Sequence, residues 1–270
     1  IRRLLQRLET LQRSVQRFGE GDLSVRVSEQ GQDEVADLAR QFNAAATRIE
    51  ALVKTHKSLL ANASHELRSP LTRIRMGLEL MGGNQPSPAF REEILRNIAE
   101  LDQLVDEILL ASRLDAREAD VGTVELVDLI GLAAEECARV DAELDVTAVP
   151  EGLEVRGVAK LLRRALRNLL ENARRYSLGD ITVVLQRHDG QAQVSVLDRG
   201  PGVPSALRER IFEPFYRLPG ASERAGGVGL GLALVRSIAQ RHNGSVRCED
   251  QPDGSGGACF VLRLPLALTK

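Results

Sequence analysis

The sequence predicts an all-helical N-terminal part followed by an α/β part. Over much of the first 115 residues, apolar residues recur at alternating spacings of three and four, the period of amphipathic helices that pack side by side. Beyond about residue 120, short alternating runs are interspersed with helical runs, as in a two-layer α/β sandwich. Trp is absent and the chain has only six Phe and two Tyr, so the cores must be aliphatic.

The composition is that of a globular protein of two or three domains. Its 270 residues are 43 % hydrophobic and 27 % charged, which excludes disorder throughout. A net charge of −2 argues against a protein that coats nucleic acid. Cys137, Cys248 and Cys259 lack metal-ligand spacing, as expected of a reducing compartment without structural zinc. No run approaches the roughly 20 apolar residues that cross a bilayer, and the chain begins at Ile1 without Met or a signal peptide, so we expect a soluble piece of a longer protein.

Two short amphipathic helices open the chain. The first has a heptad seam at Leu4, Leu8, Leu11, Val15 and Phe18. Gly19 and Gly21 end it, and residues 23–27 alternate as an extended connector. The second seam runs through Val35, Leu38, Phe42, Ala45, Ile49 and Leu52. Short helices cannot bury such stripes alone, which favours pairing with the same segments of a second chain; an ordinary helical hairpin is the alternative.

The seam then changes phase, because Leu52, His56 and Leu60 are four apart twice running, which locally unwinds a coiled coil. The stripe stops at residues 82–86, a turn signal, and resumes in a returning helix. Residues 33–115 are therefore predicted as a long helix, a short loop and a second helix. Two such hairpins would make a four-helix bundle.

The α/β part is predicted from residue 120 onward. Strands are expected at residues 124–127, 144–147, 152–155, 181–186, 193–197, 244–248 and 258–264, and helices at residues 161–176 and 230–242. Glycine clusters at residues 200–202, 226–231 and 254–257 mark loops.

His65 is the first candidate for chemistry. Pro70 follows inside the helical pattern, where it removes the amide that would bond the Glu66 carbonyl, so we expect a kink. His65 flanks the apolar seam and should be partly exposed, and a neutral imidazole there is a competent nucleophile. Glu66 could accept a ring proton. Taken alone, a helix histidine beside a glutamate is more often solvated surface.

Asn168 and Asn172 are four apart and lie on one face of a predicted helix. Because Asn is a poor helix former, two of them at this spacing in a helix indicate a role other than helix stability. Their carboxamide oxygens can hold Mg²⁺. Arg175 and Tyr176, a turn further, could meet a phosphate and a flat base. The alternative is that the Asn side chains cap a neighbouring loop.

Asp198 ends a predicted strand and is followed by Gly200 and Gly202. A carboxylate there can accept a hydrogen bond from an exocyclic amine such as that of adenine, and the glycines let the backbone approach a ring. Such strand–turn sequences are also common without a nucleotide.

Two further motifs lie downstream. Phe212, Phe215 and Arg217 belong to an aromatic segment that precedes a polar stretch, residues 218–226, which we interpret as a lid. A glycine triplet then opens a helix, whose N-terminal amides suit phosphates. The triplet is Gly227, Gly229 and Gly231. Its spacing is not that of a dinucleotide fingerprint.

The C-terminal motifs, in this order, resemble the catalytic ATP-binding domain of two-component sensor histidine kinases, within the wider group of Hsp90, gyrase and MutL ATPases. The sequence His65-Glu-Leu-Arg-Ser-Pro resembles the phosphoacceptor box of these kinases. Gly19-Glu-Gly-Asp-Leu, Asp33-Glu-Val-Ala-Asp-Leu and Phe42-Asn43 resemble a HAMP relay module, the linker that follows a membrane helix in these receptors. The resemblance covers essentially the whole chain.

The resemblance implies three domains: a HAMP module of coiled-coil helices with a truncated N-terminus at residues 1–53, a dimeric four-helix-bundle phosphoacceptor domain at 54–118, and a two-layer α/β ATP-binding domain at 119–270. It implies a homodimer that phosphorylates His65 from ATP and passes the phosphoryl group to an aspartate of a response regulator. In the full-length protein, this portion would lie on the cytoplasmic side of the bacterial inner membrane, attached through N-terminal segments absent here. No nucleic-acid partner is expected.

The resemblance also implies residue roles. Asn168 and Asn172 would hold Mg²⁺, Asp198 would read adenine, Arg175 and Arg217 would meet phosphates, and Tyr176 would pack on the base. Further nucleotide contacts are assigned to the aromatic and glycine positions: Gly200, Gly202, Phe212, Phe215, Gly227, Gly229 and Gly231. Glu66 would assist His65. Ser69 stands where strongly dephosphorylating members carry Thr or Asn, and its hydroxyl could orient a water.

Two alternatives predict different residues. A non-kinase ATPase of the wider group predicts no acceptor histidine on a kinked helix, whereas this chain has His65 with Pro70. A pseudokinase scaffold predicts damage to the Asn pair, to Asp198 or to the glycines, and none is damaged.

Overall fold

Two long helices and their connector form the first part of the fold. The computed structural model describes residues 2–80, 87–115, 122–149, 151–219, 228–254 and 256–267. They fall into two units, Ile1–Ser64 and His65–Lys270, with the division inside the second helix. Among the residues so described, no helix is long and apolar enough to cross a bilayer. The predicted domain boundaries remain predictions, and 118/119 lies outside the described residues.

In the first unit, α1 (Arg2–Gly19) is followed by the start of α2 (Glu34–Leu80). Phe18 and Phe42 pack edge to face with ring centroids 5.6 Å apart. The connector forms no strand over residues 20–33, but Asn43 fixes it on α2. The Asn43 side chain donates to the Val27 carbonyl at 2.8 Å and accepts from the Val27 N–H at 2.9 Å.

The second unit begins with a helical hairpin, formed by the remainder of α2 and by α3 (Pro88–Asp115). Helix α2 continues through Pro70. Arg73 bridges the two helices, because its Nε donates to Asn97 at 2.7 Å and its guanidinium pairs with Glu100 at 2.8 Å. The turn predicted at residues 82–86 lies outside the described residues.

The α/β part is confirmed as a sheet covered by helices. A five-stranded sheet has the order β2-β4-β5-β7-β6, in which only β2 and β4 are parallel, and β1 and β3 form a separate antiparallel pair. The strands are β1 (Glu125–Asp128), β2 (Glu143–Asp145), β3 (Glu154–Gly157), β4 (Thr182–His188), β5 (Gln191–Leu197), β6 (Ser245–Asp250) and β7 (Ala258–Pro265). The helices are α4 (Leu129–Val140), α5 (Ala159–Tyr176) and α6 (Gly231–Arg241).

Aliphatic residues fill the interior of this part, as the composition requires. Leu169 of α5 and Leu185 of β4 are fully buried, and Leu234 of α6 is 1 % exposed. The three cysteines are buried free thiols, and burial raises the pKa of each, to about 12 for Cys248. They are therefore part of the packing.

Candidate active site

One cavity of about 900 Å³ in the second unit brings most of the predicted site residues together. Its wall includes His65, Glu66, Ser69, Asn168, Asn172, Arg175, Tyr176, Asp198, Gly202, Arg217, Gly229 and Gly231. The histidine helix and the glycine and asparagine motifs, which are far apart in sequence, thus share one space.

Helix α5 contributes Asn168 and Asn172 to this wall. Asn168 is buried, and its Nδ2 donates to the carbonyl oxygen of Gly231 at 3.1 Å, which fixes the amide and leaves Oδ1 as the atom for a ligand. Asn172, one turn further, is half-buried. Two neutral oxygen ligands suit Mg²⁺, which keeps several waters and shares phosphate oxygens. The residues therefore fit the expected metal.

The opposite side of α5 is anchored on α4 by a buried carboxylate. Glu136 is only 2 % exposed, and both its oxygens accept hydrogen bonds from Arg167 at 2.9 Å. Arg163 adds a contact at 3.3 Å. The hydrogen bonds from Arg167 hold the pKa of Glu136 below its usual range, in spite of burial. The helix that carries Asn168 and Asn172 is thus fixed to α4.

Asp198 lies at the end of β5 and is 3 % exposed. Its Oδ1 accepts the N–H groups of Gly200 at 2.8 Å and Ala258 at 3.1 Å. No described residue donates to Oδ2, so this oxygen can accept a hydrogen bond from a ligand in the cavity.

The turn after Asp198 is tied to the end of α5. The N–H of Arg199 donates to the hydroxyl of Ser177 at 2.9 Å. Ser177 directly follows Tyr176, which is half-buried in the cavity wall, while the neighbouring Arg175 is exposed. This contact places Asp198 close to Tyr176 and Arg175 at the end of α5.

Phe212 and Phe215 of the aromatic segment lie outside the cavity wall, and Phe215 supports the glycine segment. The N–H of Phe215 donates to the Gly229 carbonyl at 2.9 Å. Gly229 has φ +81°, and a Cβ there would lie 3.0 Å from the Phe215 Cα, so a side chain would be strained. Phe212 is 2 % exposed and packs edge-on against Phe260, with centroids 6.5 Å apart.

Four predicted nucleotide contacts are not brought into the described cavity wall. Gly200, Phe212 and Phe215 are absent from it, although the Gly200 N–H donates to Asp198 and the Phe215 N–H donates to Gly229. Gly227 lies outside the described residues, as does most of the interpreted lid. Direct contact of these residues with nucleotide stays a prediction.

His65 is exposed on α2, beside Glu66 in the cavity wall. Consecutive helix residues do not face each other, and in the described part of the chain no hydrogen bond or ion pair joins these two. Ser69, one turn further, accepts a hydrogen bond at 3.2 Å from Arg73.

An ion pair connects the hairpin with α5. Glu107 of α3 is 6 % exposed and pairs with Arg164 at 2.8 Å, one turn before Asn168. Helix α3 also packs on α6. These contacts place the histidine hairpin next to the wall formed by α5 and α6.

Three family models match the chain in succession. They are the HAMP domain at residues 1–51, the His Kinase A (phospho-acceptor) domain at residues 55–117, and the Histidine kinase-, DNA gyrase B-, and HSP90-like ATPase at residues 157–268. Together, and in this order, they match the cytoplasmic portion of a sensor histidine kinase. The C-terminal domain is therefore of the ATP-using type.

Individual relatives agree with this assignment. The sensor protein RstB of Escherichia coli K12 is 35 % identical over 95 % of this chain and 59 % of RstB. The kinase/phosphatase MprB of Mycobacterium sp. strain KMS is 34 % identical over 87 % of this chain and 48 % of MprB. The chain thus spans about half to three fifths of the length of these relatives. The structure of histidine kinase ThkA in complex with the response regulator TrrA shares the fold, with a TM-score of 0.62 and 22 % identity over 87 % of this chain and 68 % of ThkA.

Several residues of this site were not singled out from the sequence. Tyr216 lines the cavity, and the guanidinium of Arg210 lies 4.5 Å from its ring centroid. Arg73 and Glu107 line it on the hairpin side. Tyr216 could have been found from its place in the aromatic segment, whereas the charged pair depends on contacts between distant segments.

Proposed function

We propose that this sensor histidine kinase transfers the γ-phosphoryl group of ATP to His65, and from there to an aspartate of a response regulator. The observation that supports the proposal is the shared cavity, whose wall includes the exposed His65 together with Asn172 and Asp198. An acceptor and a nucleotide-binding surface in one space is what phosphoryl transfer needs, because the reaction depends on positioning and charge neutralisation.

The residues of the cavity wall have separate proposed roles in binding ATP and Mg²⁺. The free Oδ2 of Asp198 accepts the exocyclic amine of adenine, and Tyr176 packs on the base. Arg175 and Arg217 neutralise phosphate charge. Asn168 and Asn172 hold Mg²⁺, which when bound lowers the negative charge that a nucleophile would meet.

His65 supplies the nucleophile. The lone pair of one ring nitrogen forms the N–P bond while the bond from the γ-phosphorus to the bridging oxygen breaks, and ADP leaves with that electron pair. The other ring nitrogen then loses its proton, for which Glu66 is the proposed acceptor.

The partners follow from the family. The exposed apolar faces of the helices favour a homodimer. The resemblance supports a response regulator receiver domain as the acceptor and the cytoplasmic side of a bacterial inner membrane as the location of the full-length protein. MprB is named a kinase/phosphatase, and the Ser69 hydroxyl is proposed to orient water for a similar dephosphorylation.

The test is to incubate the chain with Mg²⁺ and ATP labelled in the γ-phosphate. We expect a protein-bound label that is acid-labile and base-stable, as phosphohistidine is, and that is lost when EDTA removes the metal. Arg175→Ala should raise the KM for ATP about tenfold, the size of one charged hydrogen bond, while the neighbouring exposed Arg174→Ala leaves it unchanged. ATP hydrolysis without labelled protein would instead indicate a non-kinase ATPase, and absence of ATP binding would indicate a scaffold.

A further inference from the structure

The hydrogen bonds around Asp198 depart from the ladder of the sheet. The antiparallel register of β5 and β7 places Asp198 opposite Ala258. The Asp198 N–H donates to the Ala258 carbonyl at 3.0 Å, so in a regular ladder the Ala258 N–H would return a bond to the Asp198 carbonyl. Instead, that N–H donates to Oδ1 of Asp198 at 3.1 Å. The carboxylate has replaced its own backbone carbonyl as the acceptor.

Gln251 satisfies the carbonyl that this exchange displaces. The residue follows β6 and is 6 % exposed, and its Nε2 donates to the Asp198 carbonyl oxygen. Gly257 makes room for the exchange, because it has φ +97° and a Cβ there would clash with the same oxygen. A buried carbonyl without a hydrogen-bond donor is destabilising. Loss of the Gln251 amide therefore favours return of the Ala258 N–H to the Asp198 backbone.

We propose that Gln251 is a positioning residue that sets the selectivity of the site for a purine with an exocyclic amine. The inference rests on the proposed role of Asp198 in reading that amine. Gln251 is absent from the cavity wall, so it acts through Asp198. If the Ala258 N–H returns to the backbone, Oδ1 keeps only the donor from Gly200, and the carboxylate is no longer held in the orientation that aims Oδ2 at the amine.

The experiment compares two nucleotides on the full 270-residue chain. They are ATP and purine riboside triphosphate, which has the same ring system without the amine; dissociation constants are measured by competition with a fluorescent nucleotide. Gln251→Met has a similar volume and no donor. It should raise the dissociation constant for ATP about five- to fifteen-fold, which corresponds to the loss of one buried hydrogen bond. The dissociation constant for purine riboside triphosphate should rise less than about twofold, and kcat for autophosphorylation should not change.

Gln193→Met is the matched control. Gln193 is a buried glutamine of the same sheet that bonds Ser195 and Arg263 away from the cavity. Its substitution should leave the ratio of the two affinities unchanged. Equal weakening of both nucleotides by Gln251→Met would assign Gln251 a structural role only, and no weakening of either would also overturn the inference.

Two further variants separate the possible failures. Gly257→Ala presses a methyl group against the same carbonyl and should cause the same selective loss, which also decides the matter should Gln251→Met not fold. Asp198→Asn tests the proposed function itself. If Asp198→Asn leaves the preference for ATP over purine riboside triphosphate unchanged, Asp198 does not recognise the base. If Asp198→Asn lowers this preference but Gln251→Met and Gly257→Ala do not, the role of Gln251 alone is refuted.

Discussion

The α/β part and the helices α1 to α3 bury their leucines to very different extents. Leu169 and Leu185 in the α/β part are fully buried, whereas Leu60, Leu71 and Leu95 on the helices are 60 %, 53 % and 64 % exposed. Apolar surface stabilises a fold only when it is removed from water. The nucleotide-binding part therefore has a core of its own, and the helices require a further apolar surface, which we propose is a second copy of the chain.

The same contrast holds for polar groups. In the α/β part, Glu136 and Asp198 are buried and each accepts two or more hydrogen bonds, so their positions are fixed. On the hairpin, His65 and Ser69 are exposed. The proposed base-reading carboxylate of Asp198 is thus held in place, whereas the proposed phosphoryl acceptor His65 is accessible. This difference suits the proposed function, in which one nucleotide is bound and the histidine meets first ATP and then a response regulator.

Loss of the buried carboxylate of Glu136 should lower the stability of the fold more than any other change considered below. Glu136→Ala leaves the Arg167 guanidinium without its acceptor and should lower the free energy of unfolding by about 3–5 kcal/mol, measured by urea denaturation. Glu135→Ala is the control. This exposed carboxylate is the neighbour of Glu136 on α4 and pairs with Arg163 of α5, and its loss should cost at most about 1 kcal/mol. Equal losses would show that the buried ion pair anchors nothing.

The next effect concerns the exposed apolar face of α2. Leu71→Lys should raise the dissociation constant of the dimer about ten- to a hundred-fold, because a buried leucine contributes about 1.5–3 kcal/mol. Sedimentation equilibrium measures this, and ATP affinity should not change. Thr72→Lys, at the adjacent exposed position, is the matched control. A dimer that is equally strong with Leu71→Lys would place the interface elsewhere.

The smallest effect is a pH dependence in the α/β part. His242 accepts from the Val158 N–H at 3.0 Å through Nε2, and its Nδ1–H donates to the Ile238 carbonyl at 2.7 Å. Burial lowers its pKa from the ordinary 6.5. Because the unfolded chain takes up this proton first, stability is full above pH 6.5 and falls as the pH drops below it, by at most about 1.4 kcal/mol per pH unit.

Unfolding measured between about pH 7.5 and 5.5 tests this dependence, since the carboxylates titrate below that range. His242→Gln should flatten the slope, and His188→Gln, at an exposed hairpin end, should not. An unchanged slope with His242→Gln would assign the pH dependence to other groups.

Much of the fold could be predicted, because strand alternation and helical periodicity are local. Strand β2 was predicted at residues 144–147 but ends at Asp145. The Asp145 side chain accepts a hydrogen bond from the Thr147 N–H, which starts a turn. Helix α4 was not located. It is apolar on most sides, and its start depends on Asp128, which caps the N–H groups of Ile130 and Gly131.

The site was predictable as far as its motifs are local. Asn168, Asn172 and Asp198 reach the cavity because a single helix and a single strand end position them. Contacts between distant segments could not be predicted in this way. The burial of Phe212 depends on Phe260, and the hydrogen bond from Gln251 to Asp198 joins segments 53 residues apart. Sequence periodicity contains no information about such pairings.

We propose that nucleotide binds to the α/β part and that His65 accepts the phosphoryl group. The direct measurement uses His65→Gln, with His56→Gln on the same helix as the control, and determines for each the acid-labile label per chain and the dissociation constant for ATP. We predict that His65→Gln abolishes the label and leaves ATP affinity unchanged, while His56→Gln keeps both. Wild-type labelling of His65→Gln would show that another residue accepts the phosphoryl group.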